Sequence, residues 1–322
     1  MATRTISKWV VLKHVVSAIG AALAWVGCGR DQSDLTAPNS RVPSLSQQAG
    51  SGQKFVSFDY PGATNTSAKS ISPSGGILGQ YVGTDGKPHG FLLSGGTFTA
   101  VPEVPSAVRS DPNRLNARGT VVGTYYLELP PLKEYAYQLT GGTFTTITYP
   151  DPSISLAGWG VNDNGTVVGP KFIEGDFLDA HGYVFTNNTF TLFDVPGAMG
   201  TFPTSINDDA SIVGTYVNSD FGFHGFLRSG GTFRTIDFPN STFNWVNGIN
   251  TEGDIVGFYD DQDGGEHGVV RSNGALESID VPGAIATHCL AINAQGDVVG
   301  DYVTPDGNTH GFLLACATCS LR

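Results

Sequence analysis

The chain has 322 residues, 40% of them hydrophobic and 14% charged, with 43 glycines and a formal net charge of −12. Residues 1–28 carry Arg4, Lys8 and Lys13 and no acid, so the remainder sets 14 basic side chains against 29 acidic ones, about −15. That surface repels phosphate backbones and excludes nucleic acid as a partner, and plentiful Gly, Thr and aromatic residues with only 2 Met favour strands over helices.

The N-terminus reads as an export signal. Met1–His14 holds the positive charges, and the apolar run from Val15 to Val26 is too short for a stable transmembrane helix. Two cleavage readings stand. Leu23–Cys28 (LAWVGC) has the form of a lipoprotein signal, which would make Cys28 the lipidated N-terminus; ordinary cleavage after Ala22-Leu23-Ala24 is the rival. The expected boundaries are a signal over 1–28, a flexible polar tether over 29–53, and one β domain over 54–322.

From residue 55 a repeat dominates. The segment HGFLLSGGTF from His89 returns from Tyr135 (YAYQLTGGTF), His181, His224, His267 and His310, at spacings of 46, 46, 43, 43 and 43 residues. A second element precedes each copy: ISPSGGILG from Ile71, LNARGTVVG from Leu115, VNDNGTVVG from Val161, INDDASIVG from Ile206, INTEGDIVG from Ile249 and INAQGDVVG from Ile292. Pro61, Pro105, Pro150, Pro196, Pro239 and Pro282 close the units, where proline stops strand pairing and fixes the next turn.

Each unit contains four short apolar or alternating runs separated by turn residues. The N-x-x-G link (Asn250 to Gly253) supplies one turn, and S-G-G, N-N or N-G supplies a two-residue hairpin turn of the primed types. Four strands in about 44 residues is one propeller blade. The expected fold is an all-β, six-bladed β-propeller with four-stranded blades. Phe55–Tyr60 matches the fourth strand of the other units, so the N-terminal strand is expected to complete the last blade and close the ring.

The pattern I-N-x-x-G-x-I-V-G-x-Y followed by H-G-F-L resembles the extracellular HAF repeat family, with Gly in place of Ala after the His and a degenerate second unit at Tyr135-Ala136-Tyr137. The resemblance covers about 260 residues because it repeats. It implies export and architecture and brings no chemistry with it.

Hairpin arithmetic decides how the histidines read. Residues paired across a two-residue turn place His181 opposite Asp194, His224 opposite Asp237 and His267 opposite Asp280. Closure of the ring would place His310 opposite Asp59. His89 falls opposite Pro102 with Glu103 adjacent, and in the second unit Tyr135 falls opposite Thr148. Histidine and acid vanish together, so a structural imidazole–carboxylate pair is expected in preference to a metal ring or catalysis. The tyrosines Tyr81, Tyr125, Tyr216, Tyr259 and Tyr302 read as packing between units.

In a symmetric scaffold, function lies where one copy departs from the template. The second unit has an insertion over 127–134 and the basic residues Arg109, Arg114 and Arg118. The third has Trp159, Lys171, Glu174, Asp176 and Asp179; the sixth has His288 beside Cys289. In the fifth, Asp260, Asp261, Asp263 and Glu266 form a calcium candidate without the spacing of a twelve-residue calcium loop. Trp159 and Trp245 enter the first strands of their units and are the candidate ligand contacts, suited to stacking on a sugar. Cys316 and Cys319 suit a local disulfide, and Cys289 is expected not to pair with them. No nucleotide loop, G-x-S-x-G elbow or metalloprotease motif occurs. The expectation is a monomeric, non-enzymatic binding or scaffold module at the cell envelope, with a glycan or surface protein as partner and calcium as the one cofactor considered. The alternative is a hydrolase or lyase acting on polysaccharide or lactone at a central pore.

Overall fold

The computed structural model describes residues 47–50, 53–128, 133–173 and 176–318. The export signal, Cys28, Glu174 and Cys319 lie outside the described residues, as does the tether up to residue 46.

Each unit folds as an antiparallel meander. In the fifth, Phe243–Ile249, Ile255–Asp260, Glu266–Ser272 and Ala275–Ile279 pair in sequence order. The last turn is carried by Asn273 (φ 50°) and Gly274 (φ 85°), the positive-φ pair that a type I′ hairpin demands. The glycine of the I-V-G run has a packing cause. A Cβ on Gly79 would lie 2.2 Å from the Phe91 ring, and one on Gly123 would lie 2.7 Å from the Tyr137 ring. In these units the aromatic two residues after the His, or after Tyr135 in the second, therefore seats itself over its neighbour strand's bare backbone; the fifth unit has Val269 there. Phe91, Tyr137, Tyr183, Phe226 and Phe312 are all at most 1% exposed, each contributing about 2–3 kcal/mol by burial.

The arrangement is an all-β propeller of four-stranded blades, with a correction to the expected count. Hydrogen bonding separates four blades. The first contains Thr66–Ile71, Ile77–Val82, Pro88–Ser94 and Thr97–Ala100; the second contains Arg109–Leu115, Val121–Tyr126, Tyr135–Thr140 and Thr143–Ile147. The third has its inner strand split into Ile154–Leu156 and Gly160–Val161, both paired with Val167–Ile173. The fourth contains Gly200–Ile206, Ile212–Val217, Phe223–Ser229 and Thr232–Ile236. The remaining strands form one nine-stranded sheet in place of two further blades. Its two halves join through a single parallel pair, Glu266 with Ala286. The same junction exists elsewhere as looser contacts: the bridge Asn65–Thr309, Leu156 N donating to Glu134 O, and Thr201 N donating to Ala180 O. Neighbouring units approach closely at every such boundary, and one approach extends into strand pairing.

Gln53–Phe58 pairs antiparallel with Thr309–Leu314, Phe55 opposite Leu314 and Phe58 opposite Gly311. Gln47–Gly50, read from sequence as tether, pairs with Gln53–Phe58 as a further strand. The apolar core sits between adjacent units. One cluster joins Val256, Val270 and Ile279 to Cys289, Phe312 and Leu314; another joins Val213 and Ile236 to Val246 and Ile255.

The asparagine of N-x-x-G does more than shape a turn. Asn116 Nδ2 donates to Asn162 O, Asn162 Nδ2 to Asn207 O, Asn207 Nδ2 to Asn250 O and Asn250 Nδ2 to Asn293 O, all at 3.0–3.1 Å. These buried side chains form a belt that ties each unit to the next. The first unit has Ser72 at this position, whose Oγ accepts from Gly76 N.

Candidate functional site

Apart from the single Glu266–Ala286 pair, the innermost strands are sheet edges, with backbone groups that no further strand pairs. Five of them carry a bulge between the same positions: Ala68/Ser70, Pro112/Arg114, Pro203/Ser205, Val246/Gly248 and Cys289/Ala291. A bulge frees one residue from the ladder and re-aims its side chain. The freed residues are Lys69, Asn113, Thr204, Asn247 and Leu290, and Trp159 occupies the equivalent place in the split strand of the third unit. They form one ring around the axis. Asn113 Nδ2 donates to Gly158 O, Thr204 Oγ1 to Val246 O and Asn247 Nδ2 to Cys289 O, so three members brace the next unit. Lys69, Trp159 and Leu290 make no such bond and are half-buried, although they lie on the innermost strands. The accessible space they border is the central channel.

One residue past this ring, five units carry Ser70, Gly160, Ser205, Gly248 and Ala291, and the second carries Arg114. Its guanidinium donates to the carbonyls of Lys69, Asn247 and Leu290, from three other inner strands. Arg114 thus lies across the axis and satisfies edge carbonyls from the first, fifth and sixth units with its rigid fork of donors. Burial lowers its pKa to about 10.

Two residues before the ring the positions are Ser67, Asp111, Ala157, Phe202, Trp245 and His288. Here the inner strands divide into two arcs, both largely buried: Phe202 is 0% and Trp245 2% exposed, Asp111 and Asp301 8%. The aromatic arc comes from the third to fifth units. Trp159, Phe202 and Trp245 are mutually 6.4 Å apart by ring centroids, and Phe243 stacks on Trp245 at 6.1 Å. Among the described residues no hydrogen bond engages either indole N–H. The structure therefore brings the two candidate tryptophans together, with Trp159 half-buried and Trp245 2% exposed.

The charged arc comes from the sixth, first and second units. His288 Nδ1 lies 2.7 Å from Asp301 Oδ1 and its Nε2 lies 2.8 Å from Glu266 Oε2, with the ring against Phe258 at 4.6 Å. Burial alone would lower the His288 pKa, but the hydrogen bonds and charges of Asp301 and Glu266 raise it to about 9. Ser67 Oγ donates to the other oxygen of Asp301. Serine and histidine thus share a carboxylate without touching, so His288 cannot activate Ser67 as a triad would. On the other side Asp111 takes Arg109 at 2.8 Å and Gln80 Nε2 at 2.7 Å. Glu134 is buried beside them. Burial first, and then the charge of Asp111, raises its pKa to about 8 against the opposing pull of Arg109 and Tyr126.

The remaining predicted residues lie away from the channel ring, around the third strands. His181, His224, His267 and His310 place Nδ1 2.9–3.0 Å from Asp194, Asp237, Asp280 and Asp59, and His89 places it 2.7 Å from Glu103. On the other nitrogen, His89 meets Asp85, His224 meets Asn218 and His267 meets Asp261. Tyr81, Tyr216, Tyr259 and Tyr302 lie over these imidazoles at 5.2–5.4 Å, and Tyr125 stacks on Tyr135 in the unit without histidine. With His224 29% and Asp237 41% exposed, each such pair contributes about 0–1 kcal/mol. The DDQDGGE carboxylates separate: Asp261 accepts from Asp263 N and Gly265 N, while Glu266 reaches His288. Among the described residues no group of three or more His, Cys, Asp or Glu is placed to hold a metal. Cys289 is a free, buried thiol and Cys316 is disulfide-bonded.

The second unit's Arg109 and Arg114 and the sixth unit's His288 were marked in the sequence as departures from the template. Glu134 closes the insertion that also departs from it; Lys69, Ser67, Gln80, Asp111 and Asp301 carry no such mark, although alignment on the I-N element places Lys69 where the other copies hold Asn, Trp, Thr, Asn and Leu.

No protein family and no curated protein matches the chain. Solved structures do. A putative TolB from Agrobacterium tumefaciens is 16% identical, with a TM-score of 0.53 over 78% of this chain and 90% of its own. AofleA from Arthrobotrys oligospora is 17% identical, with a TM-score of 0.52 over 82% and 88%. A gluconolactonase from Xanthomonas campestris is 10% identical, with a TM-score of 0.53 over 86% and 98%. At these identities the likeness is one of fold, and the chain is a β-propeller.

Proposed function

We propose that this protein is an exported propeller of six repeats, of the HAF repeat type, that binds a sugar-like ligand in its central channel without turning it over. The nine-stranded sheet counts as two blades in this reading, since one residue pair holds its halves together. The observation that carries the binding function is the division of the inner strands into two arcs. The half-buried Trp159, backed by the buried Phe202 and Trp245, shares the inner layer with a dense set of polar groups, the combination that recognises a ring with hydroxyls on its edge. His288 supports binding over catalysis, because both its nitrogens face carboxylates and it stays charged at neutral pH.

Tryptophan fluorescence of the purified protein, titrated with a panel of neutral and acidic oligosaccharides, tests this reading. A saturable change that Trp159→Ala removes is expected, and silence across the panel refutes it. Cys28 as a lipidated N-terminus places the module at the envelope, and cleavage after Ala24 would leave it secreted; the mass of the mature N-terminus decides.

The enzymatic alternative has one observation in its favour. Glu134, raised to about 8, is an acid that is largely protonated at neutral pH beside the carboxylate of Asp111, the form a general acid needs. Turnover of a lactone or polysaccharide that Glu134→Gln abolishes would establish it.

A further inference from the structure

The channel contains a cation with no use in the fold. Lys69 is the bulge residue of the first inner strand, in a ring whose other members are uncharged. Among the described residues no hydrogen bond or ion pair engages its amine. Carboxylates are at hand but committed elsewhere: Asp301 to His288 and Ser67, Asp111 to Arg109 and Gln80. Burial lowers the Lys69 pKa, Asp301 and Asp111 raise it, and Arg109 and Arg114 lower it again. Half-buried on the innermost strand, the Lys69 ammonium has no partner among the described residues, which leaves it open to the counter-charge of a ligand. Arg114 spans the axis one residue further on and blocks passage beyond. A ligand entering from the aromatic side therefore ends its path at Lys69.

We propose that Lys69 Nζ receives a carboxylate of the channel ligand, which makes that ligand an acidic sugar of the uronate class. The inference rests on the sugar-binding reading above and adds the charge that the ligand carries. The ring stands against the Trp159 side, and the carboxylate supplies the counter-ion that Asp301 and Asp111 do not. Lys69 and Trp159 hold equivalent places in the first and third units, so the two side chains lie at the same depth.

Calorimetric titration of the protein with galacturonate, glucuronate, their methyl esters and the parent hexoses tests the proposal. The free acids are expected to bind at least tenfold more tightly than the esters and hexoses. Lys69→Met should erase that preference, bringing the affinities for acids and esters together, and Lys69→Arg should keep it within a few-fold. Melting curves of both variants verify that they fold. Acids binding no better than esters, or a preference that survives Lys69→Met, overturns the anchor while sugar binding stands. Binding of acetate that depends on Lys69, with no sugar bound, overturns the sugar reading and keeps the anchor. Absence of all binding overturns both. A borohydride-trapped adduct of a reducing sugar on Lys69 overturns the ionic anchor in favour of a covalent one.

Discussion

The asparagine belt gives a quantitative test of how the units are joined. Asn162 is 5% exposed; its Nδ2 donates to Asn207 O at 3.1 Å, and its Oδ1 accepts from Asn164 N and Thr166 N. The first unit shows what serine does in that place, since Ser72 Oγ still accepts from Gly76 N within the turn. Asn162→Ser should therefore retain part of the turn's bonding and lose only the inter-unit donor. A net hydrogen bond contributes about 1 kcal/mol, and stranding the buried Asn207 carbonyl adds to the loss, so the expected cost is about 1–2 kcal/mol. Asn162→Ala removes the turn acceptor as well and should cost about 3–4 kcal/mol. Urea unfolding followed by tryptophan fluorescence reads both as midpoint shifts at constant slope. A serine variant within about 0.5 kcal/mol of the parent, or equal losses in the two variants, would refute the belt as an inter-unit tie.

Two further predictions concern single units. The folded pKa of His288, about 9, lies above its ordinary 6.5, so its stabilising charge is fully present below pH ~6.5 and is lost as pH rises through ~9. The stability difference between parent and His288→Gln should shrink steadily from pH ~7 to ~9.5, and a constant difference would show that Asp301 and Glu266 do not hold a proton there. In the fourth unit Ala210 has φ 59° where the other five have glycine at 78–83°. The left-handed region costs an L-residue about 1–2 kcal/mol and glycine loses about 0.4–1 kcal/mol through the unfolded chain, so Ala210→Gly should stabilise by about 0.5–1 kcal/mol. An unchanged or lower midpoint in urea would contradict it.

What the sequence could reveal depended on range. His224 and Asp237 are thirteen residues apart across one hairpin, so turn arithmetic alone places them together. Phe55–Tyr60 resembles a fourth strand, so its pairing opposite Phe312 followed from the repeat. The blade count did not follow, because the Glu266–Ala286 pair joins two units at a boundary that no motif marks. The channel was harder still. Asn162 and its counterparts looked complete as turn formers, and nothing within a single unit shows that the amide also reaches the next. Glu266 sat in an acidic run that suggested a calcium loop, while its partner His288 lies 22 residues away in another unit. Lys69 belongs to no motif at all. Its place becomes visible only when six inner strands are aligned and the one position freed by a bulge is compared across them. Repetition makes architecture legible because each copy restates it. The same repetition hides the site, because a central channel is assembled from one side chain per copy, and its chemistry lies in how Lys69, Trp159 and His288 differ from the template.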